Sequence, residues 1–186
     1  MAVKSLFWFF VGFVLVSFAS SLWLLLSSVL TVMPIPLPYW FLYTPGNIVT
    51  AGAIVMALML TLYAYLGVSL VINGLRRGFI PITMVIAFTI GIALLLVRQA
   101  IPALIILVIA YVILIGTYAV LISVTTSRAS KALWGVATII LALIPPILIG
   151  GGLAVINYVK YMAIAEQAMA IMASAIEAWR LGTHNP

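Results

Sequence analysis

Long, nearly unbroken apolar runs separated by short polar stretches make up most of this sequence. A helix that crosses a bilayer needs about 20 apolar residues, and runs of that length predict spanning helices without any amphipathic stripe. The runs place five such spans at about 5–33, 48–72, 80–97, 103–124 and 132–159. The expected fold is therefore all-α, a polytopic integral membrane helical bundle of five transmembrane helices followed by an amphipathic C-terminal helix, with six spans as the alternative. Residues 1–159 form the bundle and 160–186 the C-terminal helix and tail.

The pattern changes character in that last segment. At about 100° per residue, Lys160, Glu166, Gln167, Ser174, Glu177 and Arg180 share one arc of a helix. Tyr161, Ile164, Ala168, Ile171, Met172, Ala175 and Trp179 share the opposite arc. Just before it, Pro145 and Pro146 are followed by Gly150, Gly151 and Gly152. Two prolines remove two backbone donors, so a kink or break is expected there. Either 132–159 is one bent span and the final helix lies in the membrane interface, or the glycines form an outer turn and residues 153–181 return as a sixth helix. Burying Lys160, Glu166 and Glu177 in lipid costs about 2.5–3.5 kcal/mol each near the bilayer centre. That cost favours the interfacial placement unless a protein partner receives the polar arc.

Polar punctuation orients the chain. The turn Asn73–Phe79 holds Arg76 and Arg77, the only adjacent charges, and such clusters stay on the cytoplasmic side. With alternating spans, Lys4, Arg128 and Lys131 join them there, and Arg98 alone among the short loops lies opposite. This predicts a cytoplasmic N-terminus, most simply in the cell membrane. Lys4 followed by Leu6–Val16 resembles a signal peptide, but the apolar stretch continues to Val32, so a retained first span is expected. The alternating prolines of 33–47 favour an extended segment, and Tyr39, Trp40, Phe41 and Tyr43 suit the outer interface or, alternatively, a lid over a lipid or quinone site.

Composition then limits the chemistry. Hydrophobic residues make up 67% of the 186 and charged ones 5%, against about 25% charged in a soluble domain. The net charge of +6 is scattered at the ends of apolar runs, which fits topology signals and lipid headgroups rather than nucleic acid. There is no Cys, no Asp, and a single histidine, His184, so no cofactor, haem or metal constellation is expected and no Ser or Cys nucleophile has a base. Spans 1 to 4 carry no ionisable residue in their interiors, which argues against a proton pump or voltage sensor.

With no catalytic constellation expected, the leading functional expectation is a non-catalytic accessory subunit of a larger membrane complex, such as a respiratory oxidase. Faces of small residues such as Ser17 and Ser21, Ala53 and Ala57, or Ala87 and Gly91, with a Met- and Ala-rich final helix, would contact lipid and other membrane subunits. Tyr39, Trp40, Tyr111, Tyr118, Glu166 and Trp179 are the candidate contacts with partners or lipid. A small solute transporter or channel is the alternative, and it predicts that Tyr63, Thr117, Tyr118 and Thr138 converge on one cavity. A structural membrane protein of a virus or secretion system would share this composition. The lack of Cys and Asp beside Ile-, Val- and Leu-rich spans suits a thermophilic archaeal source.

Overall fold

A computed structural model describes residues 2–32 and 45–183, and the side chains of 3–23, 50–152, 155 and 158–183. The extended Pro-rich segment, with Tyr39 and Trp40, lies outside the described residues, as does His184. All elements are helical: α1 (Ala2–Val32), α2 (Pro45–Ile72), a 3-10 turn (Arg76–Gly78), α3 (Phe79–Leu96), α4 (Ala100–Val124), α5 (Arg128–Gly151), a second 3-10 turn (Gly152–Val155) and α6 (Ile156–Thr183). Helices α1 to α5 are long and apolar enough to cross a membrane, and the protein is a multi-pass membrane bundle.

The short connections make successive helices antiparallel, and α6 closes against α1 to complete a ring of six. Its length, about 42 Å at a rise of about 1.5 Å per residue, matches the helices it lies along. Side-chain contacts fix the register along the α6 seams. Gly182 near the end of α6 faces Phe7 near the start of α1, whereas Gln167 meets Ser20 and Ser21. On the other side, Ser130 of α5 donates to the Ala173 carbonyl at 2.7 Å. All six helices pack together in this ring, and five of them, α1 to α5, are long and apolar enough to cross a membrane.

Helix ends are set by backbone caps rather than by side chains. After α2, Gly74 takes φ of 78°, and the amides of Gly74 and Leu75 bond back to the carbonyls of Val71 and Leu70. This is a Schellman motif, in which glycine accepts the left-handed conformation without a Cβ clash. The same motif ends α3, but there Arg98 holds φ of 62°. Just past the first cap, Gly67 and Gly78 cross so closely that a Cβ on Gly78 would strike the Gly67 carbonyl oxygen.

Prolines cause two departures from the expected boundaries. Helix α4 starts at Ala100 rather than about 103, because Pro102 sits in the first turn, where an amide has no helical partner to lose. Helix α5 runs through Pro145 and Pro146 and ends at Gly151, where Gly152 turns the chain with φ of 55°. No break occurs at the prolines. Pro145 has no N–H for the carbonyl of Leu141, four residues back, and the Tyr111 hydroxyl of α4 donates to that carbonyl instead, at 2.6 Å. Of the expected helix-breaking positions, Gly151 and Gly152 mark the turn, and Gly150 remains helical.

Candidate functional site

The polar arc of α6 faces inward. Glu166 and Glu177 are only 5% and 1% exposed, and Ser174 is fully buried. The apolar arc faces outward, with Tyr161 at 70% and Trp179 at 77% exposure. The helix is thus turned inside out relative to a surface helix of a soluble protein. The partner that receives the polar arc is the chain's own α1, α4 and the α4–α5 turn.

Three polar residues on that arc, Glu177, Gln167 and Glu166, each have a different task. Glu177 accepts hydrogen bonds from the Thr126 amide (2.8 Å), the Thr126 hydroxyl (2.7 Å) and the Ser127 amide (3.2 Å). It supplies an acceptor and a negative group beside the N-terminus of α5, which has no side-chain cap of its own. Gln167 clamps α6 to α1 by accepting from Ser21 at 2.8 Å and donating to Ser20 at 3.0 Å. Glu166 accepts from the Tyr118 hydroxyl at 2.5 Å. Tyr118 also interacts through its hydroxyl with Tyr63, so two tyrosines and one carboxyl form a connected polar group in the bundle interior.

Beneath this group, toward the α1 N-terminus, aromatic rings fill the ring of helices. Phe13 packs edge-on against Trp134 at 5.3 Å between centroids, Tyr118 against Trp134 at 5.0 Å, and Phe13 against Tyr63 at 6.0 Å. Such pairs contribute about 0.5–1.5 kcal/mol each beyond the area they bury. Phe9, Phe10, Leu66, Leu70 and Leu121 complete the plug.

Above the plug lies a cavity of about 640 Å³ to which all six helices contribute. Its wall is mainly apolar, with Trp23, Met56, Met59, Met84 and Phe88 among the larger side chains. The polar positions are Ser17, Ser20, Tyr63, Tyr118, Glu166 and Gln167, gathered from α1, α2, α4 and α6. Ser17 is fully buried and its hydroxyl has no hydrogen-bond partner. Among the described residues, no three His, Cys, Asp or Glu side chains come together as metal ligands.

Sequence-derived candidates are distributed as follows. Tyr118 and Glu166 meet at the cavity, whereas Tyr111 supports the Pro145 helix turn and Trp179 faces outward. Of the four hydroxyl residues expected to converge on a pore, Tyr63 and Tyr118 do so. Thr117 and Thr138 instead bond the carbonyls of Ile113 and Trp134 on their own helices. Lys4, Arg76, Arg77, Arg128 and Lys131 lie at one end of the bundle, since each sits near a helix terminus on that side. Sequence reasoning did not assign roles to Gln167, Ser20 or Glu177. Their signal was the polar arc itself, which demanded partners that only the packed chain identifies.

Part of the small-residue surface is used within the chain. Ala170 and Ala173 of α6 are buried in the bundle, and Gly91 packs under Leu107 of α4. Comparison with protein-family models, curated proteins and solved structures found no match to this chain.

Proposed function

We propose that the protein is a small membrane carrier that binds an amphiphilic solute in the cavity at the centre of its six-helix ring. The supporting observation is the make-up of that cavity: every helix supplies wall, most of the wall is apolar, and the buried carboxyl of Glu166 is among the described lining residues. Its volume suits a small molecule, for which sites of about 300–1,000 Å³ are usual. In this reading α6 is a sixth span and both termini lie on one side. Six of the eight Lys and Arg residues then share that end: Lys4, Arg76, Arg77, Arg128, Lys131 and Arg180, against Arg98 and Lys160. The positive-inside rule makes it the cytoplasmic end, with the cell membrane as host.

Titration of Nile red, a neutral amphiphilic dye, into the purified chain in phosphatidylcholine nanodiscs tests the reading through energy transfer from tryptophan. Saturable quenching that Ala53→Phe abolishes without lowering the melting temperature is expected, because residue 53 lines the cavity. Linear partitioning, identical in wild type and variant, would overturn it.

An accessory-subunit role in a larger electron-transfer or other membrane complex draws support from the apolar outer face of α4, where Ile101, Leu104, Val108 and Val112 are exposed. Extraction in mild detergent and a native gel separate the two readings. Stoichiometric partner bands favour the subunit, and migration alone favours the carrier.

A further inference from the structure

We propose that the solute is an amphiphilic amine whose ammonium group is held between Glu166 and Ser17 while its hydrocarbon part lies against the aromatic and methionine wall. This proposal rests on the solute-binding reading above and specifies its chemistry.

Glu166 sets the charge requirement. One of its oxygens takes the Tyr118 proton donor, and the other has no donor among the described residues. No Lys or Arg of the described residues stands beside it. Lys160, the nearest cation along α6, is six positions away, about 9 Å along the axis and about 120° around the helix, toward the far edge of the same arc. A buried carboxylate without a counter-charge is costly, and burial becomes favourable when a cation arrives with donors to match.

Ser17 makes the second, independent demand. Several hydroxyls in these helices bond the carbonyl four residues earlier, as those of Ser21, Thr61, Thr83, Thr89 and Thr138 do. Ser17 does not: the residue lines the cavity, and its buried oxygen has no partner among the described residues. Buried polar groups are nearly always bonded, and of the three left without a partner among the described residues, Ser17, Trp134 and Ser174, Ser17 alone lines the cavity, where a ligand group can meet it. A primary ammonium carries three donors and no acceptor, which suits a carboxylate oxygen and a hydroxyl oxygen together. Gln167, already bonded to both Ser20 and Ser21, has its amide committed and acts to fix the height of α6 beside α1. Trp23 and Phe88 put aromatic rings in the cavity wall, a residue type that attracts cations, and Met56 and Met59 adapt to varied hydrocarbon shapes.

The test compares dodecylamine with 1-dodecanol, probes of equal chain length that differ in charge, by calorimetric titration of the full chain in phosphatidylcholine nanodiscs. Empty nanodiscs supply the partitioning baseline. Wild type is expected to bind the amine saturably, and Glu166→Gln to weaken it about tenfold or more while leaving dodecanol binding unchanged. Ser17→Ala should weaken the amine by several-fold, with an unchanged melting temperature showing that the bundle is intact. Saturable binding of both probes, insensitive to Glu166→Gln, would overturn the amine assignment and leave the solute cavity standing. Absence of saturable binding by either probe would overturn both.

Discussion

Removing the Tyr111 hydroxyl tests how α5 tolerates its proline pair. In an ordinary helix the Leu141 carbonyl would accept from the amide of residue 145, and a second donor would add little. Here residue 145 is proline, and the Tyr111 hydroxyl donates to that carbonyl at 2.6 Å. Interhelical hydrogen bonds in membrane proteins average about 0.6 kcal/mol and reach about 1.7 kcal/mol. An acceptor left wholly unpaired costs about 1–3 kcal/mol. Tyr111→Phe should therefore destabilise the bundle by about 1.5 kcal/mol, at the upper end of the membrane range. In a Pro145→Ala background the restored amide serves the carbonyl, and the same change should cost at most about 0.3 kcal/mol. The double-mutant cycle is measured by denaturation with sodium dodecyl sulfate in mixed micelles, followed by circular dichroism. Equal losses in the two backgrounds would refute the reasoning, because the hydroxyl would then be contributing something unrelated to the missing amide.

Two further outcomes follow from the α6 seams. Glu177→Ala strips the acceptor from two backbone amides and a hydroxyl and should cost about 3 kcal/mol in the same assay, with Glu177→Gln losing roughly half as much; a loss below about 1 kcal/mol would show that the turn finds other acceptors. The chain has no cysteine, so single cysteines at Gly74, Arg98, Gly150 and Thr183 can be labelled in oriented membranes without background. Gly74→Cys and Thr183→Cys should react from one side, Arg98→Cys and Gly150→Cys from the other, and labelling of position 183 from the Arg98 side would place α6 outside the ring.

Where the helices lie was legible because apolar length and polar punctuation are local properties. The turn around Arg76 and Arg77, and the glycines that end α5, can be located from neighbours in sequence. The same holds for the arc that gathers Glu166, Gln167, Ser174 and Glu177. Periodicity assigns residues to a common face, but it does not say what covers that face. In this bundle the answer is inverted: Trp179 and Tyr161 are exposed, and the side that carries Glu166 and Glu177 turns inward. Its partners, Ser20, Ser21 and Tyr118, lie 48 to 147 residues away in sequence, beyond any local signal. The prolines misled for a related reason. Pro145 predicts a break when only its own helix is considered, and the donor that removes the need for one belongs to α4. The cavity was legible only as a set of hydroxyls, because its walls come from six separate segments.

The inward polar face of α6 also dictates an order of assembly. Presented to lipid alone, this segment would expose two carboxyls and a lysine to hydrocarbon, so it is a poor substrate for direct release from a translocation channel. Once α1, α4 and α5 are in place, its carboxyls have waiting donors and its Gln167 has two serines to meet. Because α6 follows them in the sequence, it leaves the ribosome when those partners are already made. Docking of α6 is therefore a tertiary folding event, and it completes the wall of the central cavity in the same step.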